Sequence, residues 1–327
     1  MKKILLMLVG GTICTALNEK GTLSIDKNSG VLIRDNFLKS DSPYTSDVEF
    51  TLTENLEILS ENMTIGKWNT IIDTYREYIV KDNFDGVVFA HGTDTLAYTA
   101  SLFSMLLSGC KIPHFFVSAN ARLTSERSNG NDNFKAAVEC ICKGITPNVY
   151  VTYKNISDGK MYLHLASRIE QCKNYSEDFY SNGMCELEKA NLKSLPESKG
   201  NIILPDKKLK ECVLKITPYV GINYKAFDYS KFDAILHGTF HSGTACVEGL
   251  SNLLNECKNA DVYFSPSRLE GEIYETVSEI AKGNINFLYG MTEETAYAKL
   301  IIAYSMFENS DEIIEFVKKD RNFEYFD

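Results

Sequence analysis

Gly86-Val87-Val88-Phe89-Ala90 runs directly into His91-Gly92-Thr93-Asp94-Thr95, and the chain then takes up a helical pattern from Leu96 to Leu107. A short unbroken run of small and apolar residues, bounded by a polar turn, describes a strand buried on both faces. Such strands belong to parallel sheets covered by helices. Outward from this stretch the alternation repeats. Ile4 to Val9, Phe115 to Ala119 and Val149 to Thr152 read as further buried strands. Ile65 to Ile79 carries Trp68, Ile71, Ile72, Tyr75 and Ile79 at helical spacing, and Phe134 to Ile141 forms another helical pattern behind a polar loop. The fold class is therefore α/β, with a mostly parallel sheet in an N-terminal domain.

Between about Cys185 and Lys210 the pattern turns polar and irregular, with no sustained period. A linker is expected at 186–210, between an N-terminal catalytic α/β domain at 1–185 and a second, smaller α/β domain at 211–327. In the latter, Cys212 to Ile216, Ala234 to Leu236, Val262 to Phe264 and Ile285 to Leu288 read as strands. Helices are expected near Val247 to Cys257, near Tyr274 to Ala281 and from Thr292. A chain of 327 residues is natural for two domains.

Composition narrows the function. Asp and Glu number 44 against 34 Lys and Arg, a formal charge of -10, and no basic stripe interrupts that balance. Nucleic acid is therefore not an expected partner. Hydrophobic and charged contents of 44% and 24% are ordinary for a globular protein, so neither disorder nor a membrane protein is expected. The start, Met1 to Gly11, imitates a signal peptide, but its apolar run is short and leads straight into Gly10-Gly11-Thr12, which favours a first strand. Nine cysteines lie scattered without CxxC pairs, which fits reduced thiols in a cytoplasm. His237 and His241 stand four apart in a glycine-containing loop but lack supporting carboxylates, so no metal and no cofactor is expected.

Ligands of open α/β sheets collect where strands end and the chain turns toward a helix. Two such turns are unusually polar. Val9-Gly10-Gly11-Thr12 places a hydroxyl just beyond a buried strand, and His91-Gly92-Thr93-Asp94-Thr95 ends another. Taken separately each has an ordinary explanation, a tight turn and a helix N-cap. Together they supply what amide chemistry on an amino acid needs: a hydroxyl nucleophile, a second group to move its proton, and a carboxylate to hold an ammonium.

The chain resembles the bacterial-type L-asparaginases and glutaminase-asparaginases. The resemblance rests on Gly10-Gly11-Thr12-Ile13 and on His91-Gly92-Thr93-Asp94-Thr95 followed by Leu96-Ala97-Tyr98-Thr99-Ala100, some eighty residues later. Ser60-Glu61-Asn62-Met63 looks like the family's substrate-contacting loop. Arg127-Ser128-Asn129-Gly130 with Asn133, and Met291 to Ala296 with Lys299-Leu300, look like its cytoplasmic branch. The resemblance implies that Thr12 attacks a side-chain amide carbon to form an acyl-enzyme, with Thr93 as the hydroxyl of a proton-shuttling pair. It also implies that Asp94 binds the substrate's ammonium, that Ser60 binds its carboxylate, that Glu61 beside it belongs to the substrate-contacting loop, and that the backbone around Ala119 lies along the side-chain amide. A homodimer or homotetramer acting on a small amino-acid amide, asparagine first, is the corresponding expectation.

Two departures from the family pattern bear on activation. Thr22 stands where the family's mobile loop carries a tyrosine. The lysine that pairs with the second threonine falls, counting from Arg168, on Gln171, with Lys173 two residues late; Lys173 is the expected catalytic lysine if the chain shifts locally. Three activities remain open: an asparaginase, an amidase acting on another amide such as glutamine, and a poorly catalytic asparagine-binding sensor.

Overall fold

A computed structural model describes residues 1–257, 259–267, 274–283 and 285–326. The chain divides into two units, Met1–Leu204 and Pro205–Asp327. In the first, β1 (Lys2–Leu8) leads through a small hairpin, β2 (Thr15–Leu17) with β3 (Leu23–Ile25), into α1 (Ser29–Leu38) and β4 (Val48–Leu52). Then follow α2 (Ile65–Ile79), β5 (Gly86–Ala90), α3 (Leu96–Leu106), β6 (His114–Val117) and α4 (Gly130–Cys142). The unit closes with β7 (Val149–Lys154), β8 (Met161–Leu165) and β9 (Cys185–Glu186).

Among the described residues the large sheet runs β4-β1-β5-β6-β7-β8-β9. It is parallel from β4 to β7 and antiparallel from β7 to β9. Val87, Val88 and Phe89 are fully buried, which is why the strand reads as an unbroken apolar run. α2 starts where the Thr64 hydroxyl accepts the Lys67 N–H, and it buries Trp68, Ile71, Ile72 and Tyr75. The Trp68 indole N–H is satisfied by the Thr99 hydroxyl of α3 at 3.0 Å.

The strand order reverses at β1. From it the chain steps to β4 on one side and to β5 on the other, so β1 and β5 flank a topological switch point. Leu8 pairs with Ala90, and Ala90 with Val117, so the turns that follow β1, β5 and β6 emerge side by side. The fold thus places both polar turns where such sheets bind ligands.

The second unit contains β10 (Val213–Ile216), β11 (Ala234–His237), α5 (Val247–Glu256), β12 (Asp261–Ser267), α6 (Glu275–Ile280), β13 (Asn286–Tyr289), α7 (Glu293–Met306) and α8 (Ser310–Lys318). Its strands form a parallel sheet in chain order. His237 is fully buried, stacks on Phe264 at 4.6 Å between ring centroids, and bonds the Tyr224 hydroxyl at 2.8 Å. It is a core ring rather than a ligand.

The expected linker is corrected. Leu187, Ala190, Leu192 and Leu195 pack against the core of the first unit, and the division falls between Leu204 and Pro205. The polar stretch after β9 is therefore folded onto its own unit through apolar side chains too irregularly spaced to give a period. Among the described residues no helix is long and apolar enough to cross a membrane, and no group of three His, Cys, Asp or Glu is placed to hold a metal ion.

Candidate active site

The two polar turns touch through their glycines. Gly11 has φ 74°, and a Cβ built there would lie 2.0 Å from the Gly92 Cα; one on Gly92 would lie 2.3 Å from the Ser60 Oγ. No side chain fits at either position. The Val9 and Gly10 amides donate to the Ala90 carbonyl at 3.0 and 3.2 Å, and the Gly11 amide donates to the Ile58 carbonyl at 2.9 Å. Three chain segments, those holding Thr12, Ser60 and Thr93-Asp94, are thereby pinned together.

Ser60 is buried, and its hydroxyl donates to the Asp94 carboxylate at 3.1 Å. Its carbonyl accepts the Thr95 hydroxyl at 3.0 Å. Thr95 is the N-cap residue of α3, yet its side chain caps nothing, and Asp94 caps nothing either. The helix-cap explanation of this polar cluster therefore fails: its side chains are committed across the switch point, not to their own helix. Asp94 is exposed to solvent, and Thr93 and Thr12 are half-buried. Among the described residues the hydroxyls of Thr12 and Thr93 make no hydrogen bond, while the Thr12 carbonyl accepts the Thr15 hydroxyl at 2.8 Å.

Thr93 and Asp94 line a cleft of about 390 Å³ together with Asn120, Tyr153 and the segment Gln171 to Glu177. Thr12, Ser60, Glu61 and Ala119 do not line it. Glu61 is exposed beside Ser60, and its side chain makes no polar contact among the described residues. Ala119 is fully buried, with Asn120 rather than Ala119 reaching the cleft wall. Asn120 is held by reciprocal bonds with Asn129, at 2.9 and 3.0 Å.

The lysine question resolves by geometry. The Gln171 amide donates to the Thr93 carbonyl at 3.1 Å, so Gln171 stands beside the second threonine. Lys173 is an exposed residue of the cleft wall whose ammonium makes no hydrogen bond or ion pair among the described residues. The local shift that would bring Lys173 to Thr93 does not occur. Thr22, at the position of the family's loop tyrosine, lies exposed in the β2–β3 hairpin turn, bonded to the Asn18 amide at 2.7 Å. His91, between β5 and the Thr93 turn, is fully buried and bonded to the Gly92 carbonyl; burial pushes its pKa down to about 4, so the ring is neutral at neutral pH. Cys172 and Glu177 escaped the sequence reading because they arrive from a segment with no period or motif, and Asn120 and Tyr153 because they stand at the ends of strands whose apolar runs mark burial and not a site.

Residues 3–193 match the family described as "Asparaginase, N-terminal". Curated relatives include a glutamyl-tRNA(Gln) amidotransferase component of Methanosphaera stadtmanae, 23% identical, with the alignment spanning 97% of this chain and 75% of that protein. They also include the L-asparaginase of Thermococcus kodakarensis, 25% identical over 72% of this chain and 62% of that protein. The solved structure of the thermostable L-asparaginase from Thermococcus kodakarensis superposes with a TM-score of 0.75 at 20% identity, covering 99% of both chains.

Proposed function

This chain belongs to the asparaginase family, and from that premise we propose that it hydrolyses L-asparagine to L-aspartate and ammonia through a Thr12 acyl-enzyme. The observation that carries this reading is the Ser60–Asp94 bond across the switch point, made by side chains that have no capping task, next to the glycine contact that sets the Thr12 and Thr93 turns together. Asp94 takes the substrate's ammonium, which fixes the amide relative to Thr12; orientation of this kind supplies several kcal/mol of barrier reduction. Thr12 Oγ attacks the amide carbon, Thr93 carries the proton to the leaving nitrogen, ammonia departs, and water completes the cycle. The amide N–H groups of Thr12 and Thr93 have no partner among the described residues and are available to the oxyanion.

Asp94→Asn is expected to raise KM for L-asparagine roughly tenfold, the lower end for a charge-assisted contact because Asp94 is solvent-exposed. An unchanged KM in initial-rate assays would remove Asp94 from ammonium binding. Gln171→Lys is expected to raise kcat about tenfold near neutral pH, since an ammonium beside Thr93 favours proton removal where a neutral amide does not. A pH profile of kcat that stays flat or falls below that of the parent protein would show that Thr93 needs no cation here.

Glutamine is the second reading, favoured by the curated relative described as part of a glutamyl-tRNA(Gln) amidotransferase. The formal charge of -10 argues against direct tRNA contact by this chain. Ammonia release from L-asparagine, L-glutamine and D-asparagine, compared side by side, tests the choice. The highest kcat/KM is expected with L-asparagine; faster turnover of L-glutamine replaces the first reading with the second, and none with any of the three leaves a binding protein.

A further inference from the structure

Lys173 is set apart among the lysines of this unit by its place in the cleft wall. Lys2, Lys3, Lys81, Lys135, Lys154 and Lys160 each sit on a carboxylate, as expected in an acidic chain. Lys173 pairs with none among the described residues, although Glu177 lines the same cleft. Glu177 instead accepts the Asn120 amide at 3.3 Å. Nor is Lys173 carried on a loose loop. The Ser176 amide donates to the Lys173 carbonyl at 2.9 Å, and the Cys172 thiol donates to the carbonyls of Ser176 and Asp178 at 3.0 and 3.2 Å. The Asp178 carboxylate accepts the amides of Ile156 and Ser157 at 2.7 and 3.1 Å, tying the turn to the end of β7. A pinned turn thus presents an unpaired ammonium to the cleft.

The cleft, about 390 Å³, is room beside the Thr93-Asp94 turn in addition to the position of Thr12, which does not line it. Besides Thr93 and Asp94 its lining includes the polar side chains of Asn120, Lys173, Asn174, Ser176 and Glu177. Thr93, which in the proposed mechanism carries the proton to the leaving nitrogen, shares this cleft with a free cation, and that pairing suits one chemistry: an anion carried on the leaving group.

We propose that Lys173 is a specificity-determining cation and that the cleft takes side-chain amides whose nitrogen carries a substituent ending in a carboxylate, β-aspartyl dipeptides being the simplest. This rests on the reading of Thr12 as nucleophile and Asp94 as ammonium site. Thr12 Oγ forms an ester with the side-chain carbonyl carbon as the C–N bond breaks. The Thr12 proton passes to the leaving nitrogen, which departs as the amino group of the second amino acid instead of as ammonia. Water then adds to the ester, a proton returns to Thr12, and aspartate is released.

The test compares β-aspartyl-glycine with N4-methyl-asparagine, which extends the amide nitrogen without a carboxylate. Parent protein is expected to favour β-aspartyl-glycine in kcat/KM by about fivefold, which converts to about 1 kcal/mol, the upper range for an exposed ion pair. Lys173→Met removes that ratio and Lys173→Arg keeps it. A lysine acting in the chemical step would instead lower both substrates together and leave the ratio intact, which sinks the proposal, as does a parent ratio of one or less. If L-asparagine itself is not turned over, the failure belongs to the Thr12 reading. Calorimetric binding of the same two probes to parent and Lys173→Met protein then decides the carboxylate site, equal affinities overturning it.

Discussion

Thr12→Ala is expected to remain folded and to lose ammonia release from L-asparagine by about 10³-fold or more, because the substitution deletes the atom that forms the acyl bond. Folding is expected to survive. Thr12 is half-buried, its hydroxyl makes no hydrogen bond among the described residues, and the bond from the Thr15 hydroxyl to its carbonyl does not depend on its side chain. Gly10 and Gly11, which carry the packing of the turn, are untouched. The unfolding free energy from urea titration should therefore change by no more than the roughly 0.5 kcal/mol typical of substitutions away from special features. Thr12→Ser, which keeps the hydroxyl, should retain a measurable part of the rate. Turnover in Thr12→Ala within tenfold of the parent would transfer the nucleophile's role to another residue, and a collapsed fold would show the turn to be structural first.

The largest stability effect is expected in the second unit. Lys299 of α7 and Glu324 of the C-terminal segment are both fully buried and form an ion pair at 2.6 Å. The Lys299 ammonium also donates to the Lys319 carbonyl at 2.7 Å. Glu324 further accepts the backbone amides of Arg321, at 2.9 and 3.0 Å, and Asn322, at 2.7 Å. The arrangement clamps residues 319–324 onto α7. Lys299→Ala leaves a buried carboxylate without its counter-charge, a loss of about 3 to 5 kcal/mol. Combining Lys299→Met with Glu324→Gln removes both charges while leaving an oxygen for the two amides, so more than half of that loss should return. Urea unfolding of the full chain followed by circular dichroism measures both. A single-variant loss under 1 kcal/mol would mean that the pair is neutralised or hydrated in solution, and a double variant no better than the single would place the effect in packing instead of charge.

Much of the architecture was legible in local sequence. The β5 run, the bounds of α2 and the start of the helix after Thr95 follow from apolar periodicity, since a strand buried on both faces and an amphipathic helix leave different spacings. Elements whose burial depends on distant partners did not announce themselves. β4, Val48–Leu52, is a five-residue strand with a single charged residue, Glu49, at the sheet edge, and β9 is two residues long. The stretch after β9 looked like a linker because its leucines are irregularly spaced; they are anchored by the core they meet, which sequence spacing cannot express.

The site divides in the same way. The sequence by itself determined which residue types sit at the strand ends: the glycines that alone fit the contact between the two turns, the hydroxyls of Thr12 and Thr93, and the Asp94 carboxylate. Only the tertiary structure decided how they are used. It turned Ser60 onto Asp94 across the switch point, so that a cluster with the composition of a helix cap caps nothing. It also decided between Gln171 and Lys173. Ile169 bridges Ser181, and the Glu170 amide donates to the Tyr180 carbonyl, so this segment is extended where it passes Thr93. Gln171 donates to the Thr93 carbonyl, while the Lys173 ammonium makes no bond among the described residues. Pairing of the backbone with Tyr180 and Ser181 fixes the register, and the register gives Thr93 the amide and leaves the ammonium to the cleft.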